Sequence, residues 1–200
     1  IAGLGVRRIE FVPAAHSDAS ILPGAEDAAR YAEFIDRYAR RMKEKDDPGL
    51  PVLVRFENCV QKVMGYGTGG LPCGAGRSYF GVGPDGGLFP CFRFVGIERF
   101  RLGRLPSGLD KTRTSVFVRG AGRRMGRRSS CRQCEAVGLC AGPCFAVAEA
   151  FGAGRPIEVH CVFVRAEART ARLFVEELRA RRPEKLLRFL PGAEELLSGL

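Results

Sequence analysis

Long apolar runs are missing from this sequence. Nowhere in its 200 residues do the eighteen or so consecutive apolar residues of a membrane span occur, and its start lacks the basic-then-apolar order of a signal segment. The expectation is a cytoplasmic chain with no membrane partner. An initial methionine is also missing: the chain opens on Ile1, which reads as a fragment or processed piece whose function depends on residues upstream. No internal repeat of fixed period is visible, so a repeat architecture is not expected. Acidic residues are scarce in one place. Between Glu98 and Arg132 eleven Lys/Arg face only Glu98 and Asp110, within a chain of net charge +10 and pI near 9.6. That balance calls for an acidic partner or a solvated basic loop. In "RGAGRRMGRRSS" the interleaved aromatics of a single-strand stacking platform are absent, which disfavours nucleic acid and leaves a peptide-docking surface as the sharper reading. At 46% hydrophobic and 27% charged the chain has a normal soluble composition, and disorder is not expected.

The first third has an α/β rhythm. "VRRIEFVPA" at Val6–Ala14 reads as a strand, with Pro13 near its end. In "AEDAARYAEFIDRYARRMKEK", Tyr31, Ile35, Tyr38 and Met42 recur at helical spacing, Glu26 and Asp27 lie in the first turn, and "DDPG" stops the helix. "LPVLVRF" is the next strand-like run. From Cys59 to Gly96 the texture turns glycine-rich, and "SYFGVGPDGGLFPCFRF" places apolar residues on both sides of Pro84-Asp85-Gly86-Gly87, a hairpin signal. A short helix is expected from about Phe145 and a longer one later, striped by Val164, Ala168, Ala171, Val175 and Leu178 and ended by Pro183.

What the chain has in plenty is cysteine. Cys59, Cys73, Cys91, Cys131, Cys134, Cys140, Cys144 and Cys161 all fall in its middle, and "CRQCEAVGLCAGPC" places four of them as C-x2-C-x5-C-x3-C. Four disulfides fit an even count but not a cytosolic chain that has its own core. Thiolates brought together repel one another and desolvate badly, so a cation must hold them deprotonated. Two four-cysteine zinc sites or two [4Fe–4S] clusters would each use eight ligands. A zinc ribbon pairs one C-x2-C with another, whereas the x5 and x3 intervals suit ligands shared between two clusters; spacing favours iron–sulfur and leaves zinc open.

"CGAGRSYFGVGPDGGLFPCFRFVG" at Cys73–Gly96, with four residues between Gly86 and Cys91, the run from Cys131 to Cys144 and the final Cys161 resemble the SPASM extension of radical S-adenosylmethionine (SAM) enzymes. That family's pattern is C-x(9–15)-G-x4-C, then C-x2-C-x5-C-x3-C, then C. The likeness covers about Cys73–Leu178. It implies an α/β fragment: the last βα units of a partial (β/α)6 barrel over 1–58, a small α+β domain with a β-hairpin and C-terminal helices over 59–182, and a tail over 183–200. It further implies two auxiliary [4Fe–4S] clusters, one on Cys73, Cys91 and Cys144, the other on Cys131, Cys134, Cys140 and Cys161. Cys59 would complete the first cluster, its alternative being a lone semi-buried thiol. Each cluster with its four thiolates carries about −2, offsetting part of the basic excess.

The radical-generating C-x3-C-x2-C motif does not occur in these residues, so SAM and a third cluster would be bound by a missing N-terminal part. Phe92 stands where the sulfatase-maturing branch has an Asp base, which disfavours formylglycine formation. "FPCFRFVG" is instead similar to the "PCHRFVG" stretch of maturases that form thioether crosslinks, with Phe92 replacing the His. The expected function is therefore the auxiliary-cluster portion of a peptide- or protein-modifying enzyme, with a peptide substrate and an electron donor as partners. The competing reading is a basic zinc or iron–sulfur module that recruits an acidic partner without chemistry. His160 reads as a surface residue beside a ligand, and Asp85-Gly86 as turn chemistry. Glu57 and Glu135 are candidate acid/base groups near the clusters, and His16 carries no assignment.

Overall fold

The computed structural model describes residues 5–13, 19–45, 47, 49–66, 73–124, 129–140, 142, 144–147 and 155–190, without the side chains of 19, 121–124, 129–130, 155–157 and 159. These residues form two compact units that interleave along the chain. One comprises Ile1–Gly69, Cys131–Cys140 and Arg155–Leu200; the other comprises Gly70–Ser130 and Ala141–Gly154. The long C-terminal helix packs with the first helices and belongs to the first unit.

In the first unit β1 (Arg8–Ile9) pairs parallel with β2 (Val52–Leu53), and α1 (Ala25–Glu44) lies between them in sequence. Parallel neighbours need such a crossover. The expected long strand at Val6–Ala14 is only two residues long. The Asp27 carboxylate accepts the Gly24 N–H at 2.8 Å, and Glu26 and Asp27 complement the N-terminal end of α1. The run "LPVLVRF" changes structure midway: after β2 the chain enters α2 (Val54–Val63). Phe56, Cys59 and Val60 share its inner face, and this 3–4 spacing buries more apolar surface on a helix than alternation would on a strand. α4 (Arg155–Arg181) supplies the stripe Val164, Ala168, Ala171, Val175 and Leu178, all buried. Ile35, Tyr38, Met42, Phe56, Val60, Phe174 and Phe189 close the core between α1, α2 and α4. The Tyr38 hydroxyl donates to the Pro51 carbonyl at 2.9 Å and accepts the Leu53 N–H at 3.3 Å, joining α1 to the start of β2.

One charged group is sealed within this unit. Glu167 is 1% exposed, and both its oxygens accept from Arg55 on α2, each at 2.8 Å. Tyr31 of α1 donates to the same carboxylate at 2.5 Å. Burial and the neighbouring Glu167 push the Tyr31 phenol well above its ordinary range. Burial alone would lower Arg55, but the hydrogen bonds and charge of Glu167 outweigh it and hold the guanidinium charged.

The second unit is built on an antiparallel meander of β3 (Gly81–Val82), β4 (Gly87–Phe89), β5 (Gly103–Arg104) and β6 (Gly108–Leu109), in that spatial order. Its first turn is the one at Pro84–Gly87. The Asp85 carboxylate accepts the Gly87 N–H at 3.1 Å and pairs with Arg101 at 2.8 Å, which closes the turn. Phe94, Phe100, Phe117 and Phe145 form an aromatic cluster with centroids 4.5–6.2 Å apart. Phe117 comes from α3 (Lys111–Arg124), so that part of the basic segment is helical rather than a loop. Asp110 starts that helix by accepting the Arg113 N–H at 2.9 Å. No helix among the described residues is long and apolar enough to cross a membrane.

Candidate metal centre

All eight cysteines are free, and they divide between the two units. Cys73, Cys91 and Cys144 lie in the second unit. A tight turn follows Cys73: the Gly74 carbonyl accepts the amides of Arg77 and Ser78, both at 2.9 Å, and Ala75 bridges to Tyr79. The Gly76 amide donates to the Pro90 carbonyl at 2.8 Å, which lays this turn beside Cys91. β3 also approaches closely, since a Cβ at Gly81 would stand 2.7 Å from the Cys91 carbonyl group. The Cys91 thiol is pushed up by burial; the backbone amides of Arg93 and Phe94 act against this, and the Cys144 and Cys73 thiols add to it. Cys144 packs on the aromatic cluster from the partly buried side. The hydroxyl of Tyr79 is 3.2 Å from the Cys73 sulfur. Burial, that contact and the charges of Cys73, Cys91 and Cys144 all hold its phenol well above the usual range.

The first unit gathers the other five. Cys131 and Cys134 open a knuckle in which the Cys131 carbonyl accepts the Cys134 amide at 3.3 Å, and the Ala136 carbonyl accepts the amides of Leu139 and Cys140 at 3.1 and 2.8 Å. Ala136 and Leu139 are its apolar anchors, buried against Val164 and Ala168 of α4. Two cations hold its backbone. Lys62 donates to the Leu139 carbonyl at 3.0 Å, and Arg172 donates to the carbonyls of Glu135 and Val137. Cys161 on α4 is within electrostatic reach of the whole knuckle: burial raises its thiol first, then Cys140, with smaller contributions from Cys131 and Cys134, while Arg165 opposes them. Cys59 belongs to this unit's core at 6% exposed. Burial, with the Glu167 charge second, pushes it up to about 11; Lys62 and Arg55 pull against that, and Cys140 adds to it. Cys59 thus sits in the unit of Cys140, whereas the ligand set expected to include it is carried by the other unit.

Among the described residues no three His, Cys, Asp or Glu stand close enough to hold a single ion, so these sets are groupings of thiols rather than finished coordination shells. Their chemistry nevertheless fits a thiophilic group. Each set is all-sulfur and free of disulfides, and its members lie within one another's fields. The other residues singled out have plainer settings. The Glu57 carboxylate pairs with Arg8 at 2.6 Å, the Glu135 backbone serves the knuckle, and His160 is half-buried next to Cys161. Phe92, beside Cys91, is 72% exposed. His16, Arg127 and Arg128 lie outside the described residues, as do the side chains of Arg123 and Arg124. Sequence reasoning passed over Tyr79, Lys62 and Arg172. The signal for Tyr79 was its place six residues after Cys73 on a glycine turn; Lys62 and Arg172 had none, since carbonyls of the knuckle recruit them.

The fold and its thiols define a mixed α/β chain with two all-cysteine groups. No family model matches it. Over 75 residues, 36% of the chain, it is 39% identical to an uncharacterized protein of Archaeoglobus fulgidus, and the matched part spans 18% of that protein.

Proposed function

We propose that this chain is the auxiliary-cluster portion of a radical SAM enzyme that modifies a peptide or protein after translation, with two [4Fe–4S] clusters as its cofactors and thioether crosslinking as the bond-forming class. One observation carries the reading. The run Cys131–Cys144 is divided by the fold, with Cys131, Cys134 and Cys140 grouped with Cys161 in one compact unit and Cys144 with Cys73 and Cys91 in the other. A single four-cysteine zinc knuckle would keep the run together; two interleaved ligand sets require it to part after Cys140.

When bound, such clusters supply one-electron transfer. The rest is the work of this chain's residues. Amides of Arg93 and Phe94 face the Cys91 sulfur and favour its thiolate. Lys62 and Arg172 fix the knuckle's carbonyls, and through them the positions of Cys134 and Cys140. Phe92 offers an exposed apolar surface and no base, so deprotonation of a substrate at this position is not part of the proposal. SAM cleavage would fall to a C-x3-C-x2-C segment outside these residues. The charge of +10 suits an acidic peptide, an electron donor completes the partners, and eight free cysteines suit the reducing conditions of the cytoplasm.

Anaerobic reconstitution with iron and sulfide tests this. Brown protein with about eight iron and eight sulfide per chain is expected, and Cys144→Ser and Cys161→Ser should each perturb a different cluster's spectroscopic signature. Colourless protein that takes up about two zinc and no sulfide would sink the reading.

A further inference from the structure

We propose that the Tyr79 hydroxyl donates a hydrogen bond to the Cys73 thiolate and thereby raises the reduction potential of the group held by Cys73, Cys91 and Cys144. The inference rests on the iron–sulfur reading above. Its geometry is local: the hydroxyl is 3.2 Å from the Cys73 sulfur, and Cys91 and Cys144 lie within its electrostatic reach. The turn that aims it is tightly constrained. A Cβ at Gly74 would stand 3.0 Å from the Tyr79 ring, closer than ordinary contact, so glycine there leaves the ring room to fold back over Cys73. The Ala75–Tyr79 bridge and the bond from the Gly76 amide to Pro90 hold the turn in place.

The direction of the hydrogen bond follows from the chemistry. A free thiol could donate or accept, but a cysteine that ligates metal has lost its proton, so the only hydrogen available is the phenol's. A donor aimed at a ligating sulfur stabilises the extra negative charge of the reduced state and so raises the potential. Tyr79 is 45% exposed, so its removal as Phe leaves no buried orphan group and should not unfold the unit.

The test uses the full chain reconstituted anaerobically with iron and sulfide, its two clusters followed by EPR during a redox titration. In Tyr79→Phe the iron and sulfide content should match the unsubstituted chain, one signal should move to lower potential, and the other should stay where it was. Replacing Tyr79 alone by 3-fluorotyrosine, a stronger donor, should move the same signal upward. An unchanged potential in both variants overturns the inference, and so does loss of iron in Tyr79→Phe, which would make the hydroxyl a ligand or a structural prop. An unsubstituted chain that binds no iron and sulfide overturns both this inference and the reading beneath it, a result seen before any variant is made.

Discussion

Replacing Glu167 by glutamine tests the sealed charge cluster of the first unit. The substitution keeps the shape of the side chain and removes its charge, taking from the Arg55 guanidinium, 19% exposed at its side chain, the carboxylate it pairs with. Two hydrogen bonds of 2.8 Å weaken together with the one from Tyr31. Breaking one side of a buried pair costs about 3–5 kcal/mol, far above the 0–1 kcal/mol of an exposed pair. With a urea m-value of about 2 kcal/mol/M, the midpoint should fall by roughly 1.5–2.5 M. The assay is urea unfolding followed by far-UV circular dichroism, since the chain has no tryptophan. Arg55→Met combined with Glu167→Leu should recover most of the loss, because it removes both desolvated charges at once. A loss below about 1 kcal/mol in Glu167→Gln, or a double variant no better than the single, refutes the reasoning.

Other consequences can be checked separately. In the iron-free chain, Cys59 binds its proton more tightly folded, pushed up to about 11 from its ordinary 9.0, so its contribution is full below about pH 9 and is lost as the pH rises toward 11. Denaturant midpoints across that window should fall less steeply for Cys59→Val than for the unsubstituted chain; identical slopes would contradict the burial of a neutral thiol. Phe94→Ala empties the centre of the aromatic cluster and should cost about 3–5 kcal/mol in unfolding of the second unit, measured by circular dichroism. Arg172→Leu should raise amide hydrogen exchange at Leu139 and Cys140 while leaving β3 and β4 unchanged, since that guanidinium donates to the knuckle's carbonyls.

Much of the local structure was legible from residue pattern. The stripe of α4 needed only its 3–4 spacing, and the hairpin only Pro84-Asp85-Gly86-Gly87 between apolar runs. The change from β2 to α2 within "LPVLVRF" was not legible, because a short apolar run fits either period until a neighbouring face decides; here that face is the core containing Phe174 and Val175. α3 was hidden for a related reason. Among its described side chains the basic residues mask the buried anchor Phe117, and its start depends on Asp110, an ordinary loop residue in sequence.

At the thiols the division is sharper. Sequence by itself determined that eight cysteines cluster along the chain and that their spacing suits a thiophilic group, because ligand type and interval are written residue by residue. The resemblance implied a grouping of these thiols, and only tertiary structure shows what each one packs with: Cys161 lies near the knuckle because α4 carries it there, Cys144 packs on the aromatic cluster, and Cys59 enters a core beside Glu167. The contact of Tyr79 with Cys73 is of the same kind. Intervals along a chain bound how far two thiols can be apart, but which of them share a field depends on the faces that pack, and those are set by burial across the whole fold.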